Sequence, residues 1–210
     1  MTRTPITIEP MHSKYNSQVS RLYVHGFHGK FQTLTNMNED ELALFFEKYF
    51  DQYPTNPASQ RMIALQDGEV IGTISIKRKI ETSIKNKQRK FSWKSFKSFG
   101  KWNVFKMSIG LYLFDYKPQD GECYIADVVV HPDHRSKGVG KLLMQWVQDF
   151  VQAEPNLDRL SLHVSGKNPR ARFLYERLSF HTHLQENSIF WHFLFNEKEW
   201  YYMVMKIIKT

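Results

Sequence analysis

The sequence predicts a mixed α/β (α+β) fold, a sheet with helices on both faces, on three observations. Strand-like and helix-like segments follow one another as strand, two helices, hairpin, insertion, strand, helix, strand, helix and two strands, an order that one layered sheet accommodates. Asp67-Gly68 separates two runs rich in β-branched residues, a strong hairpin signal. Between two apolar strand candidates, Leu142, Leu143, Trp146, Val147, Phe150 and Val151 repeat at helical spacing.

In chain order, Ile6–Met11 alternates as a short strand. Ser13–Phe27 places Val19, Leu22, Tyr23 and Phe27 at helical spacing, with Gly26 and Gly29 weakening its end. Asn38 caps a second helix whose first turn holds Glu39, Asp40 and Glu41, favourable at the positive end of the helix dipole. Pro54 and Pro57 stop that helix. Arg61–Leu65 and Val70–Ile76 form the hairpin, and Tyr112–Gly121 reads as a connection. Cys123–Val130 is the most apolar strand, ended by Pro132, and Gly138–Ala153 is the clearest helix. Arg159–Val164 is a strand, a helix runs from Asn168 or Pro169 to about Leu178, and Ile189–Phe195 and Trp200–Ile207 read as a closing strand pair.

The net charge of +8 is local: Lys77–Lys106 holds eleven Lys or Arg against one acid, Glu81. There Trp93, Phe96, Phe99, Trp102 and Phe105 recur every three residues among Lys94, Lys97, Lys101 and Lys106, with Gly100 interrupting. The favoured reading is an amphipathic helix packed on the protein with solvated lysines; a lid or wall of a second-substrate site and a surface for anionic lipid or nucleic acid are the others. The single cysteine, Cys123, excludes an intrachain disulfide and a four-cysteine zinc site. With no apolar leader or bilayer-length apolar run, the expectation is one domain over 1–210 with a basic aromatic insertion at about 80–110, located in the cytoplasm.

The chemistry concentrates where the Asp127–Val130 strand runs through His131-Pro132-Asp133-His134 into Arg135-Ser136-Lys137-Gly138-Val139-Gly140 and the long helix. A glycine-bearing loop leading into a helix start is an anion site, because the first amides lack intrahelical acceptors and the dipole favours negative charge. Gly138 and Gly140 permit close approach, and Arg135, Lys137 and Lys141 add charge for a multiply anionic group. The Walker pattern and the three-glycine dinucleotide fingerprint are both absent from this loop. Downstream, Asn168 and Tyr175 are seven residues apart, about two helical turns, and can share a face.

Together, Val128-Val129-Val130-His131-Pro132, Arg135-x-x-Gly138-x-Gly140-x-x-Leu143, Leu162-x-Val164 and Asn168-x-x-Ala171-x-x-x-Tyr175 resemble the GNAT superfamily of N-acetyltransferases. The resemblance implies a mixed, mostly antiparallel sheet splayed between the Cys123–Val130 and Leu160–Val164 strands, with acetyl-CoA as co-substrate in the wedge. It implies that Val128, Val129 and Val130 pair with the pantetheine arm beside a β-bulge. The pyrophosphate would lie on Arg135, Ser136, Lys137, Gly138, Val139, Gly140 and Lys141, and Asn168 and Ala171 would flank the arm. Tyr175 would protonate the departing thiolate, and His163, Glu122, Asp127 or water would deprotonate the amine. For Glu122 and Asp127 the competing reading is a solvated strand-edge carboxylate. No metal is implied.

The resemblance implies direct acetyl transfer to a primary amine on a small molecule or peptide, by a monomer or homodimer. Neither nucleic acid nor a membrane surface is an expected partner. A basic wall beside the acceptor would disfavour polyamines and favour an acidic or neutral amine. The alternative reading is a non-catalytic acyl-CoA-binding module whose insertion docks on nucleic acid or an anionic membrane. One departure from the family pattern is Ser179-Phe180, where Gly-Phe is usual; serine at a helix C-cap costs some stability.

Overall fold

The computed structural model describes residues 4–80, 92, 94–187 and 197–209. Seven strands among them form one sheet in the order β1-β2-β3-β4-β5-β7-β6. They are β1 (Thr7–Pro10), β2 (Ser59–Gln66), β3 (Glu69–Arg78), β4 (Glu122–Val130), β5 (Arg159–Ser165), β6 (His181–Asn187) and β7 (Glu199–Lys206). Every neighbouring pair is antiparallel except β4–β5. The helices are α1 (Asn16–Leu34), α2 (Glu39–Gln52), α3 (Lys101–Leu113), α4 (Val139–Ala153) and α5 (Pro169–Arg177).

Two apolar cores hold the layers. On one face α1, α2 and α3 bury Val19, Leu22, Phe45, Phe46, Val104 and Met107 against Ile63 and Val129. On the other, α4 buries Val139, Leu143, Met144, Val147 and Val151 against Ile74, Ile125, Leu160 and Leu162. Trp146 and Phe150 of the expected α4 stripe stack on each other at its flank, and Leu142 is exposed.

Local signals and packing explain most boundaries. Asn38 and Glu41 make the reciprocal bonds of a capping box at α2, satisfying two otherwise orphaned amides. Helix α1 runs well past Phe27, where the glycines suggested an end. A Cβ on Gly26 would sit 2.5 Å from Val129 Cγ1, so the glycine lets the helix lie close against β4, and tertiary packing outweighs its low propensity.

The basic insertion departs from the single amphipathic helix expected. Gly100, at φ 78°, separates a short 3-10 turn from α3. Phe96 and Phe99 are buried against Phe45, with ring centroids at 4.9 and 5.4 Å. Beyond the break the series turns outward: Trp102 is 67% exposed and Phe105 46%. A period of three matches neither one α-helical face nor one continuous element. Trp93 lies outside the described residues, as does the expected strand Ile189–Phe195. Among the described residues β7 pairs with β5 and with β6, a polar strand with no alternating pattern to reveal it.

Helix α5 ends in a Schellman turn: Phe180 N–H bonds Tyr175 O at 3.0 Å and Ser179 N–H bonds Glu176 O at 3.0 Å. Ser179 therefore occupies the left-handed position, at φ 69°. A residue with a Cβ costs about 1–2 kcal/mol there. We expect Ser179→Gly to raise unfolding stability by roughly 1 kcal/mol in urea titration; unchanged or lower stability would contradict this reading of the turn.

Candidate active site

Strand β4 pairs with β5 only from Glu122↔Arg159 to Ile125↔Leu162. Beyond that point β4 continues along β3 as far as Val130↔Gly72, while β5 continues along β7 as far as Ser165↔Trp200. The sheet splits, and from Asp127 onward the edge of β4 that faced β5 has no strand partner among the described residues. Unpaired backbone donors and acceptors inside a protein demand a partner, so this edge is suited to an extended ligand.

A bulge lies at the split. Ser75 pairs with Asp127 and Ile76 with Ile125, leaving Ala126 unmatched. The extra residue reverses the alternation of the strand. Before it, Cys123 and Ile125 enter the α4-side core; after it, Val128 and Val130 do, while Val129 enters the core under α1. Asp127 is thereby turned toward β2, where Arg61 meets it with two bonds of 2.7 and 2.9 Å. Ser75 Oγ donates to the same carboxylate at 2.5 Å. Burial would push the Arg61 guanidinium down, but Asp127 outweighs it and holds the group charged. Arg61 also lies over the rings of Phe50 and Tyr23, at 5.0 and 5.4 Å.

At the far end of β4 a short 3-10 turn over Pro132–His134 leads to the glycine loop. Gly138, at φ 86°, is the N-cap of α4, with no side-chain cap and no acid in the first turn. The amides of Val139, Gly140 and Lys141 open the helix and have no acceptor within it. Only open space would meet a Cβ on Gly138. A Cβ on Gly140 would touch Val130 and Leu174 at ordinary distances of 3.7 and 3.9 Å; the fold alone does not require glycine there. The Val139 side chain is buried, leaving its amide as the available group. Arg135 Nε donates to Val130 O at 3.2 Å, while Lys137 and Lys141 are exposed.

Across the wedge, Asn168 caps α5, accepting from Ala171 N–H at 3.1 Å. Arg170, which carried no signal of its own in the sequence, reaches back to Ser136 Oγ at 2.5 Å and joins the two sides of the mouth. Tyr175 packs beside Phe180 in the α4-side core. Its phenol is pushed up to about 12, first by burial and then by the negative charge of Asp127.

His163 is the first β5 residue beyond the last β4 pair. Its Nδ1 lies 3.1 Å from Tyr124 Oη, and Tyr202 stands opposite it on β7. Burial pushes its pKa below the ordinary value, with Glu186 and Glu122 opposing that shift. Tyr116, from the segment that follows α3, lies over Tyr124 and near His163 and Tyr202, at 4.2, 5.4 and 6.1 Å between centroids.

The two carboxylates are not solvated strand-edge groups. Asp127 is 8% exposed and engaged by Arg61 and Ser75; Glu122 is 0% exposed and accepts four hydrogen bonds. Both oxygens of each carboxylate are engaged by these partners. The structure thus brings His163 and the tyrosines to the split, and uses Asp127 to hold the bulge. Among the described residues no group of His, Cys, Asp and Glu could hold a metal ion, and no helix is long and apolar enough to cross a membrane.

The split sheet and the uncapped, glycine-bearing helix start at its mouth define the class of the fold. Residues 31–180 match the sequence profile of the Acetyltransferase (GNAT) family, and the chain belongs to that family. It is similar to the spermidine N(1)-acetyltransferase of Vibrio cholerae serotype O1, with 34% identity over 53 residues, 25% of this chain and 31% of the relative. It is similar also to the streptothricin acetyltransferase of Streptomyces lavendulae, with 34% identity over 71 residues, 34% of this chain and 37% of the relative. The chain thus spans about a third of the length of each of these curated relatives. Its fold is like that of smu.2055 from Streptococcus mutans UA159, at TM-score 0.61 and 14% identity over 96% of this chain and 99% of that one.

Removing one partner of a buried ion pair typically costs about 3–5 kcal/mol, whereas replacing both with apolar groups costs far less. We expect Asp127→Ala to lose stability in that range and the double variant Arg61→Met/Asp127→Leu to recover most of it. Urea unfolding of the three proteins checks this; equal losses in single and double variants would show that the pair does not lock the bulge.

Proposed function

We propose that the protein is an acetyl-CoA-dependent N-acetyltransferase that moves the acetyl group directly to a primary amine of a small molecule. The observation that carries this reading is the coincidence, along one strand, of the unpaired β4 edge and the uncapped α4 start. An extended pantetheine arm with two amides fits the first, and a diphosphate fits the second. The open space beyond Gly138 leaves room for the phosphates, and Gly140 keeps the next position clear.

In this reading the amides of Val139, Gly140 and Lys141 receive the pyrophosphate, with Arg135, Ser136 and Lys137 around it. Val128, Val129 and Val130 offer their backbone to the arm, flanked by Asn168 and Ala171. His163, neutral at pH 7 because its pKa is lowered, removes a proton from the acceptor ammonium directly or through water. The free amine adds to the thioester carbonyl, the new C–N bond forms and the C–S bond breaks. Tyr175, whose phenol is pushed up to about 12, remains protonated at any physiological pH and supplies a hydrogen bond, and then the proton, to the departing thiolate; the phenolate recovers a proton from the nitrogen as the amide forms.

Direct transfer is favoured over an acyl-enzyme. The one cysteine, Cys123, is fully buried with its thiol pushed up to about 12, which makes it a poor nucleophile. The relatives named for spermidine and streptothricin support a small-molecule amine as acceptor. We assign the protein to the cytoplasm, as a monomer or homodimer.

The test is steady-state kinetics with an amine panel. Tyr175→Phe should lower kcat by roughly 10²-fold while leaving the acetyl-CoA dissociation constant unchanged; loss of both together would make Tyr175 a binding residue. A base with a lowered pKa is active once deprotonated, so kcat/KM should rise with pH through a value below the ordinary imidazole range and be level by neutrality. His163→Gln should abolish that acid limb, and an unaltered limb would remove His163 from the mechanism.

A further inference from the structure

Resting on the acetyltransferase reading, the charge balance at the split identifies a class of acceptor. Glu122 is 0% exposed, yet all four of its hydrogen-bond partners are donors. Oε1 accepts from Ser161 Oγ and from Tyr202 Oη at 2.8 Å; Oε2 accepts from Gln119 N–H at 2.7 Å and from Tyr116 Oη at 3.3 Å. Four such bonds satisfy both oxygens of a carboxylate in the interior. No ion pair to Glu122 occurs among the described residues, so these four hydrogen bonds alone hold the carboxylate in the interior.

Above it lie rings that carry negative charge on their faces. His163 and Tyr202 are 4.9 Å apart between centroids, and Tyr116 lies 5.4 and 6.1 Å from them. Among the described residues, Glu186 and Glu122 act on His163, both as carboxylates. No lysine of the basic insertion among the described residues acts on it.

We propose that the floor formed by Tyr116, His163 and Tyr202 over Glu122 receives the acceptor as a cationic amine with no carboxylate beside its amino group. The rings and the two glutamates attract an ammonium ion. The same field repels the α-carboxylate of an amino acid, so the site separates an amine from the amino acid of identical body. Glu122 acts here as a positioning residue, holding Tyr116 and Tyr202 and supplying the field, rather than as the base.

The experiment uses matched acceptors that differ only by the carboxylate: phenethylamine against phenylalanine, and histamine against histidine. For the wild-type protein, kcat/KM should favour the carboxylate-free amine by about tenfold or more in both pairs. Glu122→Gln should bring the ratio close to one while leaving the KM for acetyl-CoA unchanged. Glu186→Gln, on a partly exposed strand position, should lower it partially and keeps the test available if the buried variant does not fold. Equal or better use of the amino acids would overturn the proposal. So would folded variants with the wild-type ratio, or acetyl-CoA binding with transfer to none of the amines. Failure to bind acetyl-CoA at all would instead overturn the acetyltransferase reading.

Discussion

One extra residue in one strand governs this molecule. Strand β4 belongs to two half-sheets, and Ala126 is the position at which it leaves one for the other. The bulge ends the pairing with β5, reverses which side chains enter which core, and turns Asp127 toward Arg61. Arg61, Ser75 and Asp127 stand at matched positions on β2, β3 and β4, so the ion pair fastens three strands in the shifted register. A buried pair of this kind adds little net stability but strongly disfavours alternatives that leave either charge alone. Slipping the bulge by one residue would do that.

The rest of the candidate site follows from this split. Because β5 stays with β7, His163 is set against Tyr202 and freed from β4 on its other side. Because β4 stays with β3, its last residues deliver the chain to the uncapped start of α4. Tyr175 approaches from the α4-side core and His163 from the opposite face, so the proposed acid and base act on the reacting thioester from two sides. Their environments separate them: burial lowers the imidazole and raises the phenol, which gives a neutral base and a protonated acid at the same pH.

Legibility in the sequence tracked how local the cause was. The α2 cap, the Asp67-Gly68 hairpin and the α4 start depend on residues within a few positions, and each stood out. The split between β4 and β5 was accessible through the family resemblance, not through spacing. Strand β6 was hidden because His181–Asn187 buries almost nothing and owes its conformation to β7. The extent of α1 was hidden because Gly26 answers to Val129, about a hundred residues away in sequence. The same holds for Glu122 and Asp127: a carboxylate in a strand looks alike whether solvated or locked, and only the partners Tyr202 and Arg61 distinguish the cases. Tyr116 and Arg170 lay in no periodic pattern, so nothing pointed to them before the fold assembled their neighbours.

Hydrogen exchange with and without acetyl-CoA tests the central claim most directly, because it reports on individual backbone amides. The account predicts protection on addition of the thioester at Val128–Val130 and at Val139–Lys141, with little change in β1, β2 or α2. Binding that left both of those segments unprotected, or that protected a different surface, would contradict it.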